Sequence, residues 1–201
     1  ALLSLGFVPV DDEGETYWER QLRLYGRMNL PVDAILQEQY TSCGEAVITM
    51  AYNYVYSEAK VSEQEVIEFA ADGGYYTENK FPFTSPADMV KIAGHYSDTV
   101  STGAVKNADE GLSLLTQKLT AGDPVIIDSF ARLYDPEAGA HFVVVTGLVI
   151  DSENPNNTRI LFNDPLTGGN RWGYWLGAEG VWNAWQNNGD PGGSGWWMTI
   201  P

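Results

Sequence analysis

The stretch LQEQYTSCGEA, residues 36–46, contains Cys43, the single cysteine of the 201-residue chain. Ser42 is typical of a helix N-cap, and Glu45, three residues later, completes the Ser-x-x-Glu pattern of a capping box. The sequence therefore predicts a helix whose first residue is Cys43. Free backbone N–H groups and the helix dipole stabilise an anion at this position, which favours the thiolate, the nucleophilic form of cysteine.

Helical patterns dominate the first part of the chain. The helix that begins at Cys43 is apolar on most sides as far as Tyr56, which predicts a central, buried helix. A short amphipathic helix is predicted over residues 16–26. Three more helices have clear start signals and end signals; they are predicted from Ser62 to Ala71, from Ser85 to Gly94 and from Asn107 to Ala121, with Gly122 closing the last.

Strand patterns dominate the rest of the chain. After Gly122, segments rich in β-branched and aromatic residues are separated by segments of turn residues. Strands are predicted over residues 124–128, 141–150, 159–164, 171–176 and 196–200, with a short helix over 180–186. Their short connections favour antiparallel pairing. We therefore predict an α+β fold in a single domain, residues 1–201, with a helical lobe over about 16–122 and a β-sheet lobe over about 123–201.

Charge and composition exclude several function classes. The chain carries 27 acidic and 11 basic residues, a formal charge of −16, which argues against binding to nucleic acid or to anionic membranes. No apolar run is long enough to span a membrane. One cysteine excludes an intrachain disulfide and a thiolate metal cluster, and no His/Cys spacing is typical of a metal site, so neither metal nor cofactor is expected. The first residue is Ala rather than Met, so a processed or trimmed chain is expected.

A cysteine nucleophile needs a base, and the chain has two histidines. His95 follows Gly94 at the end of a predicted helix, where a structural or solvated role is expected. His141 begins the most apolar predicted strand after a flexible Gly139-Ala140 approach. It is the candidate base, and its alternative role is that of a buried core residue.

The group that orients the base should be Asn163 or Asp164, at the end of the next strand. Alternation along a strand sends these two side chains to opposite faces, so only one can contact His141. Asp164 is preferred because its carboxylate gives a charge-assisted hydrogen bond, although an Asp before Pro is also a common turn residue. The oxyanion donors should be the Cys43 backbone N–H and a nearby amide, Gln37 or Gln39.

Three blocks of sequence together resemble papain-like cysteine peptidases. They are Gln37 with Cys43-Gly44-x-Ala46, then AHFVVVTG (140–147), then Asn163-Asp164-Pro165. The similarity covers about residues 28–170 and is closest to the bacteriocin-processing, double-glycine-leader peptidases and their secreted stand-alone relatives.

This resemblance implies a papain-like fold and a peptide or protein substrate cleaved through a thioester acyl-enzyme. It implies that Cys43 is the nucleophile, His141 the general base and then acid, and Asp164 the orienting group. Gln37 rather than Gln39 takes the oxyanion role, because its offset of six residues from the cysteine matches the family. The secreted relatives also imply an extracellular or cell-surface location.

Two features depart from the family pattern. Glu45 places a negative charge near the thiol, which opposes thiolate formation unless helix capping turns the side chain away. The tryptophan-rich segment 172–197 has no counterpart and is expected to pack in the core or to form a wall of the substrate groove. Two alternatives therefore stay open: an amidase or transglutaminase-like acyl transferase acting on cell-wall or isopeptide bonds, and an inactive module that binds a peptide or glycan.

Overall fold

The computed structural model describes residues 25–133, 135–151 and 153–201. Within these ranges the chain forms five α-helices and seven β-strands. The helices are α1 (Cys43–Val55), α2 (Glu63–Asp72), α3 (Pro86–Tyr96), α4 (Ala108–Ala121) and α5 (Val181–Gln186). The strands are β1 (Tyr25–Asn29), β2 (Ser101–Ala104), β3 (Val125–Arg132), β4 (Asp135–Asp151), β5 (Arg159–Asp164), β6 (Gly169–Tyr174) and β7 (Trp196–Thr199).

The helix boundaries follow the local start and stop signals. Helix α2 begins with a complete capping box, in which Ser62 and Glu65 bond to each other's backbone N–H groups. Ser85 caps α3, and Asn107 caps α4 by accepting a hydrogen bond from the Glu110 N–H. Helix α4 ends at Gly122, whose φ of 92° gives the left-handed C-cap that glycine adopts without strain. These helix predictions are confirmed.

The seven strands form one antiparallel sheet in the order β2-β7-β3-β4-β5-β6, with β1 also paired to β4. Strand β4 is 17 residues long and pairs with β3 along its first part and with β1 along its last part. It therefore lies at the centre of the sheet and carries His141 into the interior. The antiparallel pairing and the α+β class are as predicted.

Alternating side chains of the central strands fill two separate cores. Ile126 and Val144 contact the core beneath α1, α2 and α3, whereas Val125, Ile127 and Val145 contact the core beneath α4 and α5. Helices therefore cover both faces of the sheet, which explains why its central strands are almost continuously apolar. Helix α1, with Cys43 at its start, packs on β4.

The division into a helical lobe and a β-sheet lobe at residue 122 is wrong in one respect. Strands β1 and β2 lie inside the predicted helical part, and they complete the sheet by pairing with β4 and β7. Of the helix predicted over residues 16–26, residues 16–24 lie outside the described residues, and Tyr25-Gly26 belong to β1. In the part of the chain that the structure describes, no helix is long and apolar enough to cross a bilayer.

Candidate active site

Helix α1 begins at Cys43 as predicted, but the predicted capping box of Ser42 and Glu45 is wrong. The Ser42 hydroxyl accepts the Gln39 N–H at 3.0 Å and donates to Glu63 Oε1 at 2.7 Å. Glu45 is fully buried and accepts a hydrogen bond of 2.7 Å from the Thr84 hydroxyl. Both side chains therefore form hydrogen bonds with residues distant in sequence instead of capping the helix.

Glu63, at the start of α2, holds the loop that precedes Cys43. Its two carboxylate oxygens accept the backbone N–H of Glu38 at 3.0 and 3.1 Å, in addition to the Ser42 hydroxyl. Burial raises the pKa of Glu63, and the hydrogen bonds from Ser42 and Glu38 oppose that change. This role could not be predicted from the sequence, because Glu63 has the position of an ordinary first-turn acid of its own helix.

The environment of Cys43 favours the thiol over the thiolate. Burial raises its pKa to about 12, against a lowering effect of the hydrogen bond from the Phe142 N–H. The carboxylates of Glu45 and Asp128 raise the pKa further, and the Gly44 N–H lowers it. The N–H group at the helix start lowers the pKa as predicted, but burial and the two carboxylates outweigh it.

His141 and Asp164 form a buried pair. His141 Nε2 and Asp164 Oδ1 are 2.8 Å apart, and at most 4% of either side chain is exposed. Burial acts to raise the pKa of Asp164, but hydrogen bonds from His141 and Arg171 and the His141 charge hold it below its usual value. An ionised carboxylate only accepts hydrogen bonds, so Nε2 carries the proton and Nδ1 keeps a free lone pair.

Two further donors fix the Asp164 carboxylate. The backbone N–H of Leu166 donates to Oδ1 at 3.0 Å, and Arg171 Nη1 donates to Oδ2 at 2.7 Å. Asn163, the other candidate, points to the opposite face of β5, where its amide donates to the Val32 carbonyl oxygen at 2.9 Å. Strand alternation thus separates the two residues, and Asp164 is the one that contacts His141.

Replacing Arg171 with glutamine is expected to lower kcat for peptide hydrolysis about fivefold, which corresponds to about 1 kcal/mol for a half-exposed ion pair. Without the guanidinium the pKa of Asp164 rises, so the acid limb of the pH–kcat profile should move to higher pH. Arg159→Gln is the matched control, because Arg159 lies over the Trp172 ring, 5.0 Å from its centre, away from the pair. An unchanged pH profile in Arg171→Gln would contradict this role.

The two glutamines have different environments. Gln37 Nε2 donates both hydrogens to backbone carbonyls, to Gln39 O at 2.7 Å and to Tyr40 O at 2.8 Å. Gln39 Oε1 accepts from the Tyr76 hydroxyl at 2.8 Å. For Gln37 to bind an oxyanion, one of its two backbone hydrogen bonds must be exchanged for the new one.

Backbone contacts join the segment before Cys43 to the turn after Asp164. The Gln37 N–H donates to the Pro165 carbonyl at 2.9 Å. Gly168 has a φ of 63°, and a side chain there would collide with Leu36. The loop that precedes the thiol and the loop that follows the carboxylate are therefore one packed unit.

The remaining predicted residues lie away from this pair. His95 is exposed at the end of α3 and stacks on Phe69 with ring centres 3.8 Å apart, in agreement with a structural role. In the tryptophan-rich segment Trp175, Trp185 and Trp196 are buried in the two cores, whereas Trp172 is 54% exposed on β6. Core packing is thus the role of most of these tryptophans.

Two cavities flank the candidate site. A small one of about 20 Å³ lies beside Cys43, between the segment 81–84, Phe142 and Asp190. A larger groove of about 530 Å³ runs along the other side of the His141–Asp164 pair. It is lined by Tyr40, Ala131, Arg132, Asp135, Glu137, Ala138, Asp164, Leu166, Thr167 and Arg171. A chain segment of a substrate has room to lie in this groove.

Comparison with known families agrees with the three motif blocks. The model of the Peptidase_C39 like family matches residues 29–191, a range that includes Cys43, His141 and Asp164. No curated protein matches the chain. The resemblance to the papain-like, bacteriocin-processing peptidases is therefore confirmed. With four-fifths of its length matched, this chain belongs to the Peptidase_C39-like family.

Proposed function

We propose that the protein is a cysteine peptidase of papain-like fold that hydrolyses peptide bonds through Cys43, His141 and Asp164. The observation that carries the proposal is the buried His141–Asp164 hydrogen bond of 2.8 Å. It is supported by the position of Cys43 at the start of α1, near the backbone N–H of Phe142, the residue that follows His141. A nucleophile, a base and a group that fixes the base are the minimum for this chemistry.

The high pKa of Cys43 decides how the reaction starts. At neutral pH the thiol is protonated, so His141 Nδ1 accepts the thiol proton as Sγ attacks the substrate carbonyl carbon. The tetrahedral oxyanion is held by the Cys43 backbone N–H and an amide side chain, for which Gln37 is the candidate. Asp164 fixes the ring and stabilises the imidazolium that forms.

Breakdown of the tetrahedral intermediate completes acylation. His141 gives its proton to the leaving amine as the C–N bond breaks, which leaves a thioester on Cys43. His141 then removes a proton from a water molecule that attacks the thioester, and returns it to the departing sulfur. The substrate is a peptide or protein that lies in the groove past Arg132 and Leu166. The extracellular location stays a prediction.

A second function is favoured by the carboxylates near the thiol. Glu45 and Asp128 both raise the pKa of Cys43, and a thiol that never ionises would leave a peptide-binding module without hydrolysis. The rate of alkylation by iodoacetamide between pH 6 and 10 separates the two. Acceleration by a bound peptide substrate supports catalysis, and slow, substrate-independent alkylation supports the binding module.

Replacing Cys43 with alanine is expected to abolish peptide hydrolysis and labelling by a peptidyl chloromethyl ketone, because the sulfur is the only atom that forms the acyl bond. Intact mass spectrometry should show one adduct per wild-type chain and none on Cys43→Ala. Assays with an amine acceptor added report acyl transfer at the same time. Full hydrolysis by Cys43→Ala would overturn the proposal.

A further inference from the structure

Two buried acids, Asp128 and Asp190, lie together, and one of them borders the small cavity beside Cys43. Asp128 is fully buried on β3, and Asp190 is 7% exposed in the loop before β7 and lines the cavity itself. Their carboxyl groups lie within hydrogen-bond reach of each other. Because burial of a carboxylate without a counter-charge is costly, such a pair calls for an explanation.

The described residues supply no hydrogen-bond donor to most of these oxygens. Both oxygens of Asp128 and Oδ1 of Asp190 are buried, and no donor of the described residues has hydrogen-bond geometry toward them. The backbone N–H of His141 lies near enough to Asp128 to lower its pKa. Burial, together with the Asp190 charge, raises the pKa of Asp128 well above its usual value. Burial also raises the pKa of Asp190 to about 6, so one proton is shared by the pair near neutral pH.

The loop around the pair is built to hold it in place. The Asn188 amide donates to the carbonyls of Asp128, Trp185 and Gly193 at 2.9–3.1 Å and accepts the Asp190 N–H at 2.9 Å. Any side chain at Gly193 would collide with Asp128 Oδ2. The loop thus fixes the positions of the acids and leaves them with no donor except the proton that they share, so a cation from outside can take the place of that proton.

The cavity bordered by Asp190 has a size and lining that suit the cationic end of an alkyl chain. Phe81, Pro82, Phe83 and Phe142 give it apolar and aromatic walls, and Cys43 lines it as well. Its volume of about 20 Å³ holds about one water molecule, which is the size of an ammonium group and smaller than a guanidinium. Aromatic walls also attract cations.

We propose that this cavity is a substrate subsite that selects a lysine side chain next to the scissile bond, with Asp128 and Asp190 as its cation-binding end. The ammonium group enters between the aromatic walls and donates to the Asp190 and Asp128 oxygens in place of the proton that the pair shares. This inference rests on the proposed peptidase function, because a cavity lined by Cys43 selects a residue of the cleaved chain only if Cys43 is the nucleophile.

The test is a set of fluorogenic peptides that differ in one residue, with lysine, norleucine or Nε-acetyllysine placed in turn at each of the two positions on either side of the scissile bond. At one position the wild-type protein should show kcat/KM at least about tenfold higher for lysine than for norleucine, since norleucine keeps the chain and lacks the donor. Acetyllysine, which is larger and neutral, should be the poorest. Equal rates for the three peptides at every position would overturn the subsite, without any variant being needed.

The variant Asp190→Asn should reduce the lysine-to-norleucine ratio to about one, whereas Asp72→Asn, a change of an exposed acid at the end of α2, should keep the full ratio. The ratio is the readout, so a general loss of rate does not imitate the effect. If Asp190→Asn does not fold, the comparison of wild-type kcat/KM for the lysine, norleucine and acetyllysine peptides still tests the subsite. A ratio that survives in folded Asp190→Asn would overturn the assignment.

The cation subsite can also be tested separately from the peptidase function. If no peptide is cleaved, binding of the lysine and norleucine peptides to the wild-type protein is measured by isothermal titration calorimetry. Tighter binding of the lysine peptide that is lost in Asp190→Asn would support the cation subsite while refuting hydrolysis. Equal binding of both peptides would overturn the subsite as well.

Discussion

Replacing His141 with alanine is expected to lower kcat/KM for peptide hydrolysis by about 10⁴-fold or more. The effect is large because the resting thiol, with a pKa of about 12, is protonated at neutral pH and needs a base to remove its proton. The variant also loses the proton donor for the leaving amine. Progress curves on one fluorogenic peptide over pH 5–9, with circular dichroism to verify folding, measure the effect.

The second histidine provides the matched control. His95→Ala removes an exposed imidazole that stacks on Phe69 at the end of α3, far along the chain from the candidate site, and should change kcat/KM less than about threefold. A His141→Ala protein that folds and retains more than a tenth of the wild-type rate would contradict the assignment of His141 as the base.

The variant Glu45→Gln should change how stability depends on pH. The pKa of Glu45 is raised from 4.5 to about 7, first by burial, which outweighs the hydrogen bond from Thr84. Between these values the unfolded chain is ionised while the folded protein keeps its proton. The free energy of unfolding therefore falls as pH rises through this window, by about 3 kcal/mol from Glu45 alone.

Glutamine at position 45 has no proton to lose, so this part of the pH dependence should disappear. The difference in unfolding free energy between Glu45→Gln and the wild-type protein should shift in favour of the variant by about 3 kcal/mol from pH 4 to pH 8. Urea unfolding at both pH values measures it, with Glu58→Gln, an exposed acid, as control. A difference that is the same at both pH values would contradict the burial of an ionisable Glu45.

The elements that were predicted correctly depend on signals within a few residues. The Ser62–Glu65 capping box and the left-handed Gly122 are complete in the local sequence, so the ends of α2 and α4 could be predicted. Strands β1 and β2 carry no such signal: both are short, and both exist because β4 and β7 supply partners more than 90 residues further along the chain. Pairing at that distance cannot be derived from local propensity.

The same distinction explains the candidate site. Alternation along β5 correctly separated Asn163 from Asp164, because it depends only on strand geometry. The predicted Ser42–Glu45 capping box does not form, because Ser42 is hydrogen-bonded to Glu63 and Glu45 to Thr84. Both partners come from later parts of the chain. The acid pair of Asp128 and Asp190 was missed for a related reason, since nothing in the segments 124–128 or 187–193 indicates that they meet.

The central position of β4 also has a consequence for the order of events during synthesis. Cys43 is made 98 residues before His141 and 121 residues before Asp164. Strand β4 pairs with β3 as a local hairpin, whereas its packing on α1 joins segments that lie far apart in the chain, and such contacts form slowly. A nascent chain on the ribosome therefore carries the candidate nucleophile before the candidate base has been made, so the proposed peptidase chemistry depends on the packed sheet.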